Sequence, residues 1–409
     1  MENVVTVAAG WYAAWMKGTY PPSSIAWSKY NMITFAFALT TADPSVLDLV
    51  GEEETLKAFA SEAKKNNVTS LISVGGWTGS QHFSDAVATE EGRSTFQKAI
   101  LDLVSEYDLD GVDFDWEYPN SPEGSDYGCN TNSPQDAENF LTFLKGLRAD
   151  PAGANLVLTA AASLKPFRGP DGNPLTDVSG FAEALDFLAI MNYDVFGSWA
   201  ANTGPNAPLK DSCAPAADQV GSAESAVAAW TGAGFPAIQL LLGVAAYGRS
   251  FRVAPSAAKT SSGSLNAYAA FDKTNIPLGE GETSSTPVAN KCGILEGPGG
   301  VWTFKGMIEN GFLGPDGNPA EGIDYTFDEC SQTPFVYQQS NQTLISFDDA
   351  KSFNAKGAFI NDKDLRGFAV WHVVGDSSDN ILLDAIHDGI GTEVECTPEP
   401  EEESTETDY

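Results

Sequence analysis

Residues 109–119 read Leu109-Asp110-Gly111-Val112-Asp113-Phe114-Asp115-Trp116-Glu117-Tyr118-Pro119. Three acidic residues in this stretch, Asp113, Asp115 and Glu117, alternate with bulky apolar ones. Side chains two residues apart share a face of a β-strand, so one face carries three carboxylates and the other can pack on a helix layer. Carboxylates this close cannot all ionise freely. We therefore expect a shared proton or one raised pKa, as in a general acid.

A divalent-metal site or a solvated acidic loop is the alternative interpretation of these acids. A calcium loop places glycines and carbonyl ligands between its acids, whereas bulky apolar residues stand between them here. The alternation favours a strand end that points its acids into a cleft. We predict no metal ion and no cofactor.

Length and composition are those of a globular enzyme: 409 residues, 42% hydrophobic and 11% aromatic. No apolar run approaches the roughly 20 residues of a membrane span, and the first residues lack the pattern of an export signal. The net charge of −34 argues against nucleic acid and anionic membranes as partners. Part of this charge lies in residues 393–409, with eight acids and no base, which we predict to be a disordered tail.

Cysteines and sequons favour a secreted, extracellular protein. The five cysteines show no Cys-x-x-Cys spacing and the three histidines are scattered, so we do not expect a structural zinc site. Two Asn-x-Thr sequons begin at Asn67 and Asn341, and each is a weak signal by itself. Together with the cysteines they suggest secretion with a signal peptide removed.

Apolar runs alternate with amphipathic segments along most of the chain. The predicted strands are 4–12, 32–38, 70–77, the acidic stretch, 155–163, 187–194, 239–247 and 367–373. The predicted helices are 52–66, 90–107, 134–150, 178–184, 222–231 and 378–390. Eight strands alternating with helices predict an α/β fold, a (β/α)8 TIM barrel. A doubly wound sheet is the competitor, but no Gly-rich phosphate loop follows the first strand.

This alternation breaks between Tyr247 and Leu344, a region rich in Gly, Ser, Pro and Asn. A long disordered loop is one interpretation of it. The aromatic runs at 301–304 and 335–337 need burial, however, so we predict a small α+β insertion domain between the seventh and eighth strands. The predicted domains are 1–248 (barrel, first part), 249–343 (insertion), 344–392 (barrel, last part) and 393–409 (tail).

Residues 110–117 (DGVDFDWE) resemble the signature of glycoside hydrolase family 18, the chitinase family, with every acidic position present. Four further segments resemble motifs of the same family, in order: SVGGW at 73–77, MNYDVFGSW at 191–199, YGRSF at 247–251 and GFAVWHVVGD at 367–376. The similarity runs from about Gly10 to about Ile390. Family members with deep clefts carry an insertion at the same place, where it forms a wall of the cleft.

The resemblance implies a role for each matching residue. The implied catalytic residues are Glu117 as general acid, Asp115 and Tyr193 as partners of the substrate's acetamido group, and Asp113 as the residue that shares a proton with Asp115. The implied substrate-binding residues are Trp15, Gly76, Trp77, Met191, Asp194, Trp199, Tyr247, Arg249 and Trp371.

The activity implied is that of a chitinase, which cleaves β-1,4 bonds between N-acetylglucosamine units with retention of configuration through an oxazolinium intermediate. Its partners would be chitin and chitooligosaccharides, and the protein a monomer. Two alternatives stay open: a catalytically inactive chitin-binding lectin of the same fold, and an endo-β-N-acetylglucosaminidase acting on N-glycans. Lectins of this kind usually lose the equivalent of Glu117, Asp115 or Tyr193, all of which are present here.

The cysteine positions suggest a disulfide pairing, although sequence alone does not determine connectivity. Cys129 follows the acidic strand and Cys213 follows the sixth strand, so both are expected in loops at the active-site face. We predict that these two pair, that Cys292 pairs with Cys330 inside the insertion, and that Cys396 is left over.

Overall fold

The computed structural model describes residues 5–121 and 128–391. From residue 7 to residue 245 the strands are β1 (Val7–Ala13), β2 (Met32–Thr40), β3 (Leu47–Asp48), β4 (Thr69–Gly75), β5 (Gly111–Asp115), β6 (Val157–Ala162), β7 (Phe187–Ile190) and β8 (Leu240–Ala245). After them come β9 (Tyr247–Arg252), β10 (Val288–Ala289), β11 (Leu295–Glu296), β12 (Val301–Thr303), β13 (Asp324–Asp328), β14 (Thr333–Gln338), β15 (Thr343–Ser346) and β16 (Gly367–Trp371).

The α-helices surround these strands. They are α1 (Glu53–Lys65), α2 (Gly76–Gly79), α3 (Phe83–Ala88), α4 (Glu90–Glu106), α5 (Asp136–Ala149), α6 (Ser179–Ala184), α7 (Ala223–Gly232), α8 (Pro255–Ala258), α9 (Phe304–Glu309), α10 (Ala350–Asp362) and α11 (Ile381–Ile390). Within the two described ranges, none of the helices combines the length and the apolar character needed to cross a lipid bilayer.

Eight parallel strands close into a barrel, which confirms the predicted (β/α)8 fold. Their order is β1-β16-β8-β7-β6-β5-β4-β2, and β1 pairs with both β16 and β2. The short β3 pairs antiparallel with the outer part of β2. Because all eight barrel strands are parallel, their carboxyl ends lie at one end of the barrel, where active sites of this architecture are built.

The barrel strands are apolar along nearly their whole length because both of their faces are buried. All seven residues of β1 and all five of β5 are buried. The outward faces pack on the helices, as Leu56, Phe59 and Ala63 of α1 illustrate. Small residues such as Ala161 and Ala189 share the interior with larger ones such as Met32. The barrel interior is therefore a packed core, and the space for a functional site lies at the strand ends.

A second sheet follows the seventh barrel strand. Its five antiparallel strands have the order β12-β9-β15-β14-β13, and Ala246 alone separates β8 from β9. The segment predicted as one strand over 239–247 is thus divided between two sheets. The predicted boundaries at 248/249 and 343/344 stay a prediction, since β9 and β15 run across them. The predicted tail, 393–409, lies outside the described residues.

Helix α10 was not anticipated from the sequence. Asp349 and Ser352 form a capping box at its start, and its buried face includes Lys356, whose ammonium lies 2.5 Å from the carboxylate of Asp348. Neither side chain of this ion pair is exposed. A charged residue at a core position interrupts the apolar stripe by which an amphipathic helix is detected.

The disulfide prediction was wrong. The bonds are Cys129–Cys292 and Cys213–Cys330, so each joins a barrel loop to the region between β9 and β15. The prediction assumed that this region closes on itself. Instead its chain returns to the barrel loops, as shown by the hydrogen bond from the Leu209 amide to the Ser331 carbonyl. Cys396 lies outside the described residues.

Candidate active site

The acidic row lies at the carboxyl end of β5, as the alternation predicted. Asp113 and Asp115 are buried within the strand, and Glu117 follows its last residue by two positions, half-buried. Phe114 and Trp116 belong to the main core beneath the helices. The acids therefore occupy the opposite, inward face of the strand.

Asp113 is held by three hydrogen bonds from other barrel strands, namely its neighbours β4 and β6 and the more distant β1. Trp11 Nε1 donates to its Oδ2 at 3.0 Å, Ser73 Oγ to Oδ2 at 2.7 Å, and Thr159 Oγ1 to Oδ1 at 2.6 Å. Burial raises the pKa of Asp113, and these three donors oppose that rise because they favour the ionised form. Asp113 is thus a fixed acceptor at the base of the row.

Asp115 has the opposite environment. Its Oδ1 is buried and has no hydrogen-bond partner among the described residues. Burial first, and then the nearby charges of Glu117 and Asp113, raise the pKa of Asp115 well above its ordinary value. Asp115 therefore tends to keep a proton, and it presents an unused polar atom beside Glu117.

Tyr193 extends the polar surface from the end of β7. Burial, followed by the charges of Asp115 and Glu117, raises the pKa of its phenol well above the ordinary value. Its ring lies edge-on to Tyr247, with ring centroids 6.1 Å apart. The hydroxyl therefore stays protonated at any ordinary pH and can donate a hydrogen bond near the two acids.

Asp194 organises a second group of predicted site residues. Its Oδ1 accepts hydrogen bonds from Tyr247 hydroxyl at 2.7 Å and Arg249 Nε at 2.5 Å. Burial is the largest single influence on the pKa of Arg249 and lowers it, but the charge and hydrogen bond of Asp194, together with Tyr247, outweigh burial and raise that pKa. The guanidinium carbon lies 4.8 Å from the ring centroid of Trp199, whose side chain is 57% exposed. These residues form a charged wall with one exposed aromatic ring.

Aromatic rings at the ends of β1, β2 and β16 form a floor. Trp371 lies 6.2 Å from Trp11, 6.1 Å from Trp15 and 5.7 Å from Phe37, between ring centroids. Trp15 follows β1 in a single turn of 3₁₀ helix and is 57% exposed. The peptide bonds after Ala36, Glu117 and Trp371 are cis. The rings of the floor present flat apolar faces, and Trp11 connects them to the acidic row through its hydrogen bond to Asp113.

The turn after β4 brings in two more predicted residues. Gly76 has φ +78°, and a Cβ there would lie 2.9 Å from the ring of Phe37, so a larger residue would displace the floor. Trp77 comes next, in α2, and is 45% exposed. Met191, the remaining predicted residue, directly follows β7 and packs against the barrel interior.

Two residues that were not predicted from the sequence bind the backbone of Glu117. Ser80 Oγ accepts a hydrogen bond from the Glu117 amide at 3.0 Å, and Asn130 Nδ2 donates to the Glu117 carbonyl at 2.8 Å. Ser80 is fully buried and Asn130 half-buried. No local pattern marks either residue, because the peptide group that each one binds is 13 or 37 residues away, beyond a local motif.

Ser73 and Thr159 were also missed, although a signal for them existed. Both are polar residues in otherwise apolar strands, and the register pairs Asp113 with Ser73 on one side and Thr159 on the other. Phe37 carried no comparable signal. Taken together, the site brings together the carboxyl group of Glu117, a buried carboxyl of raised pKa with an open atom at Asp115, a phenol and a row of flat rings. Among the described side chains, no group of three or more His, Cys, Asp or Glu could hold a metal ion.

Comparisons with known proteins agree with this geometry. The family model described as "Glycosyl hydrolases family 18" matches residues 7–376. A "chitinase-like effector" of Moniliophthora roreri is 44% identical over 387 residues, covering 94% of this chain and 93% of that protein. One of Moniliophthora perniciosa is 41% identical over 389 residues, covering 94% and 87%. The crystal structure of a chitinase from Rhizomucor miehei has a TM-score of 0.83 and 32% identity, covering 93% of this chain and 99% of that one.

Proposed function

Because the chain belongs to glycosyl hydrolase family 18, we propose that it is a chitinase that hydrolyses β-1,4 bonds between N-acetylglucosamine units. Its substrates would be chitin and chitooligosaccharides, bound in the cleft between the aromatic floor and the charged wall. Trp15, Trp77, Trp199 and Trp371 would stack on successive sugars, whose β-linked rings have apolar faces that suit flat aromatic groups.

Glu117 would act as the general acid, giving its proton to the glycosidic oxygen as the bond to the leaving sugar breaks. An ordinary retaining glycosidase needs a carboxylate nucleophile about 5–5.5 Å from the acid. Asp115 stands beside Glu117 on the same strand end rather than across a bound sugar, so it is badly placed for attack from the opposite side. The 2-acetamido oxygen of the substrate would attack the anomeric carbon instead, giving an oxazolinium ion.

The open Oδ1 of Asp115 is the observation that carries this proposal. A buried polar atom without a partner is costly unless something else binds it, and the acetamido N–H of a bound sugar is a donor of the right kind. Asp115 would hold that N–H and Tyr193 would donate to the acetamido oxygen. Water activated by the Glu117 carboxylate would then attack the anomeric carbon from the face that the leaving sugar occupied. This attack opens the oxazolinium ring and retains the anomeric configuration.

We also propose that the protein is secreted and that it is a monomer. The two disulfides support an oxidising compartment. No partner subunit is needed to supply any of the residues that line the proposed cleft.

Hydrolysis of chitotetraose, followed by NMR of the first product, tests this function. We expect cleavage with a β-anomer as first product, and no cleavage of fully deacetylated oligomers, which lack the acetamido oxygen. Equal cleavage of acetylated and deacetylated oligomers, or an α-anomer as first product, would overturn the mechanism. Release of glycans from a high-mannose glycoprotein in place of chitin cleavage would favour the endo-β-N-acetylglucosaminidase.

A chitooligosaccharide-binding protein without turnover is the second candidate, because the two relatives at 44% and 41% identity are named chitinase-like effectors. Such a protein would use the same floor and wall. Calorimetry separates the two candidates: binding of chitotetraose that persists for hours without product would favour the binding protein.

A further inference from the structure

We propose that Ser80 and Asn130 form a clamp that positions Glu117 for proton transfer, and that the Cys129–Cys292 disulfide anchors it. This inference rests on the proposed function of Glu117 as the acid. The clamp is defined as these two side chains and the two hydrogen bonds that they make with the Glu117 backbone.

The need for a clamp follows from where β5 ends. The strand stops at Asp115, so Glu117 lies beyond the ladder that fixes the backbone of the other two acids. Its amide and carbonyl must find partners elsewhere, since buried backbone groups are rarely left unpaired. Side chains supply both: Ser80 Oγ accepts from the amide, and Asn130 Nδ2 donates to the carbonyl.

Ser80 connects Glu117 to the neighbouring strand end. The same Oγ lies 2.8 Å from the Gly76 carbonyl and 3.0 Å from the Asp115 carbonyl, to which it can donate. One hydroxyl therefore bridges the turn after β4, the last residue of β5 and the amide of Glu117. A shift of Ser80 would change the spacing between the carboxyl groups of Asp115 and Glu117.

Asn130 is held by its neighbours on both sides. Thr131 donates from its amide to the Gln81 carbonyl at 2.8 Å, so the two clamp segments are tied together. Cys129, on the other side, is bonded to Cys292, whose segment joins β10 and β11. The disulfide thus links the segment of Asn130 to the two-stranded sheet of β10 and β11, across the 163-residue separation of Cys129 and Cys292.

A clamp of this kind affects the rate more than the binding of substrate. Proton transfer requires the carboxyl group within hydrogen-bond reach of the glycosidic oxygen, and a displacement of about 1 Å can lower the rate by about 100-fold. The aromatic floor and the charged wall do not depend on either clamp bond, so KM should change little. Asn130→Ala is the cleaner variant, because Ser80 also bonds the Gly76 carbonyl next to Trp77.

The test compares Ser80→Ala and Asn130→Ala with a matched control, Asn310→Ala. Asn310 also donates from Nδ2 to a backbone carbonyl, that of Gly306, at 2.8 Å, but at the end of α9. We expect kcat on chitotetraose to fall by about 10- to 100-fold in both clamp variants, with KM within about threefold, and to be unchanged in the control. Crystal structures of the clamp variants should show the Glu117 carboxyl displaced by more than about 0.5 Å.

The anchor is tested with Cys292→Ser against Cys330→Ser, which breaks the other disulfide. We expect kcat to fall at least threefold only in Cys292→Ser. Unchanged kcat with Glu117 in place in both clamp variants would overturn the proposal, as would an equal fall in Asn310→Ala. If the unmodified protein has no turnover, the proposed function fails, and the position of the Glu117 carboxyl in the variant crystals still decides whether the clamp exists.

Discussion

Trp11 Nε1 donates a 3.0 Å hydrogen bond to Asp113 Oδ2 across 102 residues of sequence, from β1 to β5. With Ser73 and Thr159 it gives Asp113 three donors, while Asp115 Oδ1 has no partner in the described chain. Donors favour a charged carboxylate and their absence favours a neutral one. We therefore expect that a proton shared by this buried pair resides mainly on Asp115.

Thr159→Val tests the part played by these donors. The variant removes the 2.6 Å hydrogen bond to Asp113 at nearly constant volume, and we expect a loss of about 1–3 kcal/mol in unfolding free energy at pH 7. Burial already raises the pKa of Asp113 above 3.8, and losing a donor raises it further. The penalty should shrink as the pH falls through that pKa, because the protonated carboxyl depends less on the donor. Urea unfolding between pH 3 and 7 measures it; a penalty independent of pH contradicts this account.

Asp115→Asn should move the pH profile of the residual activity. Burial, and then the charge of Glu117, raises the pKa of Asp115, because losing the last proton of this pair leaves two charges that repel. With a neutral amide at position 115 that repulsion is absent, so Glu117 should lose its proton at lower pH. The basic limb of kcat/KM should then lie at lower pH than in the unmodified protein. A basic limb at the same or a higher pH would mean that the two carboxyls are not coupled during catalysis.

Glu117→Gln should abolish most turnover while leaving binding of chitotetraose nearly intact. The amide keeps the shape of the side chain and lacks the transferable proton, and general acids contribute about 10²–10⁴-fold. The control is Glu106→Gln, at the exposed end of α4, which should retain full activity. Turnover of the Glu117 variant within tenfold of the parent would remove Glu117 from its assigned role.

Trp371→Ala should weaken substrate binding more than it lowers the stability of the fold. Trp371 is half-buried and its ring lies among other floor rings, whereas Trp230 of α7 is fully buried. Trp230→Ala should cost about 3–5 kcal/mol of stability and leave KM unchanged in the folded fraction. Melting temperatures and KM for both variants are the measurement. If Trp371→Ala unfolds like Trp230→Ala and keeps its KM, Trp371 is a packing residue only.

Lys356→Met should be strongly destabilising, by about 3–5 kcal/mol, because it leaves Asp348 as a buried and unpaired carboxyl. Adding Asp348→Leu should recover much of that loss. The exposed pair Lys98–Asp102 of α4 provides the contrast, since Lys98→Met should cost less than about 1 kcal/mol. A double variant less stable than Lys356→Met alone would show that the pair has a role beyond mutual compensation.

The barrel was predictable because buried parallel strands are apolar along their whole length, and that pattern survives in β1, β2 and β6 without knowledge of the neighbours. The acidic row was predictable for a related reason, since carboxylates in such a strand stand out. Helix α10 was not predictable, because the partner that lets Lys356 occupy a core position comes from outside the helix.

The remaining misses have one physical origin. The change of sheet at Ala246, the disulfide pairing and the hydrogen bonds of Ser80 and Asn130 all depend on which loops meet in space. The local preferences of residues for helix or strand carry no information about which loops are in contact. Ser73 and Thr159 lie between the two cases: their polarity is visible in the sequence, but only the register of β4 and β6 with β5 shows that both face Asp113.

Ala246 and the two disulfides also determine how this protein can be rebuilt. The second sheet starts one residue after a barrel strand, and Cys292 and Cys330 are bonded to barrel loops. The segment from β9 to β15 therefore cannot be exchanged between homologues as an independent cassette. A chimaera made in that way would leave Cys129 and Cys213 without their disulfide partners. A graft intended to reshape the cleft must therefore include the two barrel loops that contain these cysteines.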